Sequence, residues 1–491
     1  MLPSCFQVQE PLTDLHWSRL KSLLRKNQPP SDIENQTLAK VEHDIEEYDL
    51  AIAQLQSAVA SLKSQRDSAK DYVSRYKSLM APIRRLSSDV LVEIFTDICS
   101  DTTLSTGHAL THLPQLDLCQ VCKYWRSLVN DSPLLWSKLR MVLYENEYSI
   151  SDTTLLYLAN LVLTRSGNCP LTIGLFHFHD VQPVSALLFQ HADRWLSAFV
   201  RGCSQRFFSV SSFPQLKHLE LDCELDDIQT IPTMSSLESL IISQLSAHRP
   251  LSLPDFPWKQ LKRLTLDASL VSQCASIVSW CVQLEHIVLT FGLCDSLPSV
   301  SIVSQTVTSA TLQGAEEGCE KLLLQFPQLH TLDLYSCHFP ADSLTAHLPS
   351  ITNLNLKNLS FDRDLLALLR LFPTVTHLWI RDYSFSCMHE SEPLLAFFSE
   401  LHPTGPPLLP RLTHLDMRIS GNGVICPGLE TAFVEMVKSR VMEGRLEQGL
   451  KTVRFSMPDF YLLNHELISS LAYLLELGIT ISIQDGCGSI L

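Results

Sequence analysis

From Phe213 onward the chain repeats one short pattern, apolar-x-x-apolar-x-apolar, and this constrains the fold more than any other feature. Its lead residues are Leu216, Leu237, Leu261, Leu284, Val307, Leu329, Ile351, Val375, Leu412 and Leu450. Successive leads lie 21, 24, 23, 23, 22, 22 and 24 residues apart, then 37 and 38 where insertions lengthen the last units. With hydrophobic residues at 45%, one triplet is cheap by chance, but a nearly fixed period is not. Phe/Leu-Pro-x-apolar also recurs, at Phe213, Phe326, Leu348, Phe372 and Leu409, where proline ends the preceding segment just ahead of a strand.

The period and the Leu-x-x-Leu-x-Leu core resemble leucine-rich repeats, in which each strand and its return segment stack on the next. The family's Asn or Cys eight residues after the lead is present only as Cys337. The resemblance implies an α/β solenoid over residues 141–491. Return helices are expected at 316–325, 362–371, 392–401 and 430–442, and Ile479, Ile481 and Ile483 suggest a closing strand. A helix is expected over 191–200. Side chains alternate along a strand, so the positions two, four and six after each lead should form three rows on the face away from the core. The first row holds His218, His286, His377 and His414. An exposed Trp379 beside His377, Arg381, Tyr335 and Arg418 supplies residue types that carry interface energy, and this is the expected substrate-binding patch.

Residues 81–140 carry a second pattern. Val90, Leu91, Ile94, Phe95 and Ile98 fall on one helical side. Leu118, Val121, Cys122, Trp125, Leu128 and Val129 are expected to fall on another. Two such short helices cannot bury both apolar faces alone and call for an added surface. Leu-x-x-Asp-Val-Leu-x-x-Ile-Phe from Leu86 to Phe95, Val-Cys-x-x-Trp-Arg from Val121 to Arg126, and the pair Leu135-Trp136 together resemble the F-box family. Leu86-Ser87 stands where that family usually has Leu-Pro. The resemblance implies docking onto a Skp-type adaptor protein and, through it, a cullin ubiquitin ligase. Leu86, Val90, Leu91, Ile94, Phe95, Val121, Trp125 and Trp136 are the residues expected to build the adaptor-binding surface or its support. Leu91 and Ile94 in particular are expected to lie in the interface.

Ahead of this module, residues 31–80 read as one heptad-patterned helix ending before Pro82. Position a holds Leu38, Ile45, Ile52, Val59, Arg66, Val73 and Met80; position d holds Val41, Tyr48, Leu55, Leu62, Ala69 and Tyr76. Ser31 and Glu34 suit a capping box. Acidic residues (Glu42, Asp44, Glu46, Glu47, Asp49) come early and basic ones (Lys63, Arg66, Lys70, Arg75, Lys77) late. An antiparallel partner would match acid to base, while the same gradient suits the helix dipole. Self-association through a coiled coil and a single arm resting on its own body both stay open. Residues 1–30 suggest a short helix broken by Pro29-Pro30.

Composition narrows the remaining choices. At 491 residues the chain holds more than one domain, and a net charge of −15 argues against nucleic acid or an anionic membrane as main partner. Without a basic, apolar leader or a run long enough to span a bilayer, a cytoplasmic or nuclear location is expected. The 15 scattered cysteines then read as reduced thiols. His177, His179 and Asp180 are the one candidate metal cluster, and they lack further ligands. Neither a phosphate-binding glycine loop nor a nucleophile elbow occurs.

The expected fold is therefore multidomain: an N-terminal α-helical coiled-coil arm, an all-α F-box, then an α/β leucine-rich-repeat-like solenoid. The expected function is that of a substrate receptor in a Skp-cullin-F-box ubiquitin ligase, with no catalysis and no cofactor of its own. The alternatives are a non-ligase scaffold using arm and solenoid, and a hydrolase or metal enzyme built on His177, His179 and Asp180.

Overall fold

The computed structural model describes residues 14–26, 29–106, 111–143, 151–176, 182–202, 205–222, 230–243, 256–267, 271–291, 300–314, 322–337, 350–358, 363–384, 392–402, 408–420, 428–442, 449–456, 472, 475, 479–485 and 488–489. The chain divides into two compact units, residues 1–90 and 91–491.

In the first unit α1 (Asp14–Lys26) precedes α2 (Asp32–Leu79), a single helix of 48 residues. The Ser31 backbone N–H donates to Glu34 Oε2 at 2.7 Å, the reciprocal half of a capping box. Proline at 82 ends the run, and Pro82–Arg85 forms one 3-10 turn. No residue of α2 is buried.

Past the helix α3 (Ser88–Ile98), the second unit is a parallel sheet with return segments. Its elements run β1 (Thr103–Ser105), α4 (Pro114–Val121), α5 (Lys123–Asn130), β2 (Lys138–Val142), α6 (Asp152–Arg165), β3 (Leu171–Phe176), α7 (Gln182–Phe189), β4 (Trp195–Arg201), α8 (Gln205–Ser209), β5 (His218–Asp222) and β6 (Ser239–Ile242). They continue with β7 (Arg263–Asp267), α9 (Val271–Trp280), β8 (His286–Thr290), β9 (Val300–Val303), β10 (Ser309–Gln313), β11 (Leu322–Gln325), β12 (Thr331–Tyr335), β13 (Asn353–Lys357), α10 (Arg363–Arg370), β14 (His377–Ser384) and α11 (Glu392–Leu401). The last are β15 (His414–Ser420), α12 (Leu429–Met442), β16 (Thr452–Ser456), β17 (Thr480–Asp485) and β18 (Gly488–Ser489). Among the described residues sixteen strands make one sheet, in chain order with β9 and β11 set aside. Every pairing in that sheet is parallel except β17 with β18.

All ten lead residues are buried, and each repeat strand starts two residues after its lead. Those ten starting residues share one register: His218, Ser239, Arg263, His286, Ser309, Thr331, Asn353, His377, His414 and Thr452 are successive partners, continued by Ser197 of β4 before them and Thr480 of β17 after. One position earlier runs a backbone ladder, from Lys217 N–H to Leu196 carbonyl through to Lys451 N–H to Thr413 carbonyl, at 2.8–3.0 Å. Hydroxyls of Thr308, Thr352, Thr376 and Thr413 donate to the same carbonyls as a second rail.

Three local expectations are corrected. Of the stretch expected as a helix over 191–200, only Ala192–Arg194 make a 3-10 turn and the chain from Trp195 on is β4, because Ala198 and Val200 point into the core while Phe199 faces the other way and stacks on Phe176 at 4.5 Å. Within 316–325, residues 322–325 are β11, which pairs with the β-branched strand β9 in a separate parallel sheet. The second helix of the 81–140 module is interrupted: Cys122 is extended (φ −162°, ψ 168°), splitting α4 from α5, and its Sγ accepts the Trp125 N–H at 3.4 Å. The other three return helices form as α10, α11 and α12, and β17 follows β16. The expectation of an all-α module over 81–140 is corrected as well, since β1 and the start of β2 fall within it and pair with each other in the main sheet.

Gly314 closes β10 at φ +71°, where an added Cβ would sit 2.8 Å from the Phe291 carbonyl oxygen. G314A should therefore cost about 1–3 kcal/mol. A urea midpoint unchanged from wild type would contradict that assignment.

Candidate functional site

Two surfaces combine the residues singled out by the sequence. The first lies on the helical module. Helix α3 divides its apolar residues cleanly: Leu91, Phe95 and the following Cys99 are at most 2% exposed, whereas Val90, Ile94 and Ile98 are 37–44% exposed. The expectation that Leu91 lies in an open interface is corrected, since it fills the module's own core. Phe95 meets Trp125 edge-on, with ring centroids 4.7 Å apart, so α3 and α5 are joined by an aromatic pair. Trp125 and Leu86 are half-buried, while Val121 is exposed.

Trp136 is buried and acts from beneath. Its indole N–H donates to the Val129 carbonyl at 3.0 Å, and the Arg165 guanidinium lies 5.3 Å over its ring. Gln115, fully buried, ties α4 to its surroundings by donating to Thr102 Oγ1 at 2.6 Å and to the Leu135 carbonyl at 2.7 Å. Sequence reasoning missed this side chain, because a lone glutamine has no periodic signature. It also left Ile98, Tyr124 and Leu134, all exposed, out of the expected surface; for Ile98 the four-residue step from Ile94 was the available signal.

The second surface is the sheet face away from the core. Here His377, Trp379 and Arg381 lie along β14, Arg418 is on the adjacent β15, and Tyr335 is on β12, with β13 between it and β14. The expectation of an exposed Trp379 is corrected to a half-buried one: Asn355 and Asp416 flank it in register, and the His377 ring stacks 5.6 Å away. His377 in turn stacks on His414 at 4.1 Å with planes 10° apart. Lys357 Nζ lies 5.8 Å over the Tyr335 ring, and Asn355 Nδ2 donates to the Tyr335 hydroxyl at 3.4 Å. Burial raises the Asp333 carboxyl above the ordinary range, opposed by hydrogen bonds from Thr311 and Asn355 and by the Arg381 charge. Arg381 and Arg418 are exposed, and the register shift between Ile380 and Tyr383 falls beside them.

Each ring of the histidine pair is held from the side by the threonine before it: His377 Nδ1 lies 2.8 Å from the Thr376 hydroxyl and His414 Nδ1 2.8 Å from the Thr413 hydroxyl. The two hydroxyls also lie within hydrogen-bond distance of a carbonyl of the preceding unit. Burial lowers the affinity of both rings for a second proton, and for His414 the neighbouring His377, Lys451 and Arg454 add to it.

His177, His179 and Asp180 lie outside the described residues, as does Leu348. Among the described residues no cluster of three His, Cys, Asp or Glu side chains could hold a metal ion, and no helix is long and apolar enough to cross a membrane. Burial pushes the Cys99 and Cys281 thiols up to about 12. No protein-family model matches the chain, and no curated protein matches it.

Because His377 and His414 bind protons more weakly folded than unfolded, their contribution is present above about pH 6.5 and is lost as the pH falls through their lowered folded values. The thermal midpoint should drop between pH 7 and pH 5, with a shallower slope in H377Q/H414Q. Equal slopes in the variant and wild type would show that the stack does not titrate.

Proposed function

We propose that this chain is a substrate-recognition subunit of a Skp-cullin-F-box type ubiquitin ligase, with residues 81–140 an F-box and the repeat region a leucine-rich-repeat-like solenoid. The observation that carries the reading is the division of α3. A helix whose Leu91 and Phe95 already complete a core, yet which presents Ile94 and Ile98 to solvent, has an apolar face left for a second polypeptide. Val90 and Val121 are exposed in the same module and belong to the proposed adaptor surface; Leu86 and Trp125 are partly covered; Leu91, Phe95 and Trp136 are its support. A Skp-type adaptor is the partner of that surface, and a cullin joins through the adaptor.

The sheet face around Tyr335, His377, Trp379, Arg381 and Arg418 takes the protein substrate. Aromatic and arginine side chains fixed by a strand ladder lose little freedom on binding, which suits them to hold a peptide segment. The chain positions a substrate and performs no chemistry itself. The proposed site of action is the cytoplasm or nucleus.

I94D/I98D places two charges on the open face and should abolish co-purification with a Skp-type adaptor, while shifting stability by about 1 kcal/mol or less. L91D is the control that destabilises the module by several kcal/mol, on the order of a buried unpaired charge. A folded I94D/I98D protein that still brings down the adaptor would refute the assignment. So would a wild-type chain that brings down none, which is the outcome expected of a scaffold.

A further inference from the structure

We infer that α2 pairs antiparallel with α2 of a second copy of this chain. The helix runs 48 residues without interruption, and the apolar residues of its heptad stripe from Leu38 to Met80 are mostly 45–64% exposed, Val41 and Ala69 aside. A bare stripe alone does not name its occupant. The charges beside it do.

The e positions read Glu42, Asp49, Gln56, Lys63, Lys70 and Lys77, acidic in the first half and basic in the second. In an antiparallel pair e faces e of the partner, and the register that overlaps nearly the whole helix sets Glu42 against Lys70 and Asp49 against Lys63, each twice by symmetry. The same register places Leu38 opposite Tyr76, Val41 opposite Val73, Ile52 opposite Leu62 and Leu55 opposite Val59. Arg66, the one charged a residue, then meets Tyr48, whose ring and hydroxyl both accommodate a guanidinium. A parallel pair in register would instead stack Arg66 on its own copy and set Asp44 beside Asp49.

The helix dipole does not account for this charge order. Its influence fades within the first and last turns, which hold Asp32, Glu34 and Lys77, whereas Asp49 and Lys63 lie well inside. A further feature marks where the partner's end would seat. Between α1 and the start of α2 an apolar cleft of about 390 Å³ is lined by Trp17, Leu20, Leu23, Leu38 and Val41. The antiparallel register delivers Val73 and Tyr76 of the second copy to Leu38 and Val41, and Tyr76 already stacks with Tyr72 at 6.0 Å.

The test uses the full chain. Analytical ultracentrifugation at micromolar concentration should give the mass of two copies. A zero-length carbodiimide reagent applied to mixed light and heavy-isotope chains should join Glu42 to Lys70 and Asp49 to Lys63 between copies. Along one helix these pairs are about 42 and 21 Å apart, too far to react within a chain. K63E/K70E and E42K/D49K, each alone, set like charges against each other at e and should raise the dimer dissociation constant about tenfold or more. Mixing the two variants restores opposite charges and should restore the dimer, which also shows that each is folded. A wild-type chain of monomer mass overturns the inference. A dimer indifferent to these charges, or one lacking both cross-links, overturns it as well.

Discussion

Parallel strands have no hairpin to fix their register, so something in each unit must align it with the last. Here the backbone N–H one residue past each apolar lead donates to the equivalent carbonyl of the preceding unit, from Lys217 to Lys451. This bond fixes the lead as the last inward residue before the strand and so determines which side chains face out. A slip of one residue would bury His377 and Trp379 and expose Leu378 and Ile380. Threonine at 308, 352, 376 and 413 reinforces the ladder with its hydroxyl, which donates to the same carbonyl as the backbone N–H. Where the spacing between leads stretches to 37 residues, between Val375 and Leu412, the shared register still holds from His377 to Ile380 and shifts only beyond it, before Tyr383.

The return segments need an anchor of their own, and Arg440 provides it. The side chain is fully buried on α12 and donates to the carbonyls of Leu401, Leu408 and Leu409, gathering the end of α11 and the turn where Leu409 adopts φ +54°. Burial lowers its proton affinity to about 10, still far enough above neutrality for the guanidinium to keep its charge. With three carbonyl dipoles around it, the charge is solvated by the backbone instead of by a carboxylate. At the other end of the unit Gln115 plays a comparable part, fastening α4 to Thr102 and Leu135 beside the first strands. The proposed adaptor surface therefore rests on a module whose buried polar contacts bind it to the beginning of the sheet.

The features legible in the sequence were those with a period. A two-residue alternation repeated at near-constant spacing fixed all ten strand starts and which side chains face out, and a heptad run gave α2 to within a residue at each end. What escaped had no period to betray it. Over 191–200 the apolar residues suit either a helix or a strand, and only the pairing of Ala198 and Val200 with β3 and β5 decides. Cys122 lies on the expected helical face, yet its backbone is extended and its thiol starts a new helix. On α3 all five apolar residues fall within one broad stripe, so periodicity alone could not separate Leu91 and Phe95, which fill a core, from Val90, Ile94 and Ile98, which do not. Strand alternation gives the side of the sheet on which Trp379 lies and says nothing of how far Asn355 and Asp416 beside it, or the His377 ring stacked on it along β14, cover it.

An antiparallel arm has a geometric consequence for a receptor. If Tyr76 of one helix meets Leu38 of the other, the two C-terminal ends lie at opposite ends of the pair, separated by roughly 65 Å at 1.5 Å per residue. The two proposed receptor modules are then attached far apart and not side by side. Two weak contacts on one large or oligomeric substrate would reinforce each other only where its sites match that separation, since effective concentration collapses when the span cannot be bridged. A parallel arm would bring both attachment points to one end and favour closely spaced sites instead. Under the proposed reading, the e-position charges of α2 would set the separation of the two attachment points and with it which substrates gain from paired engagement.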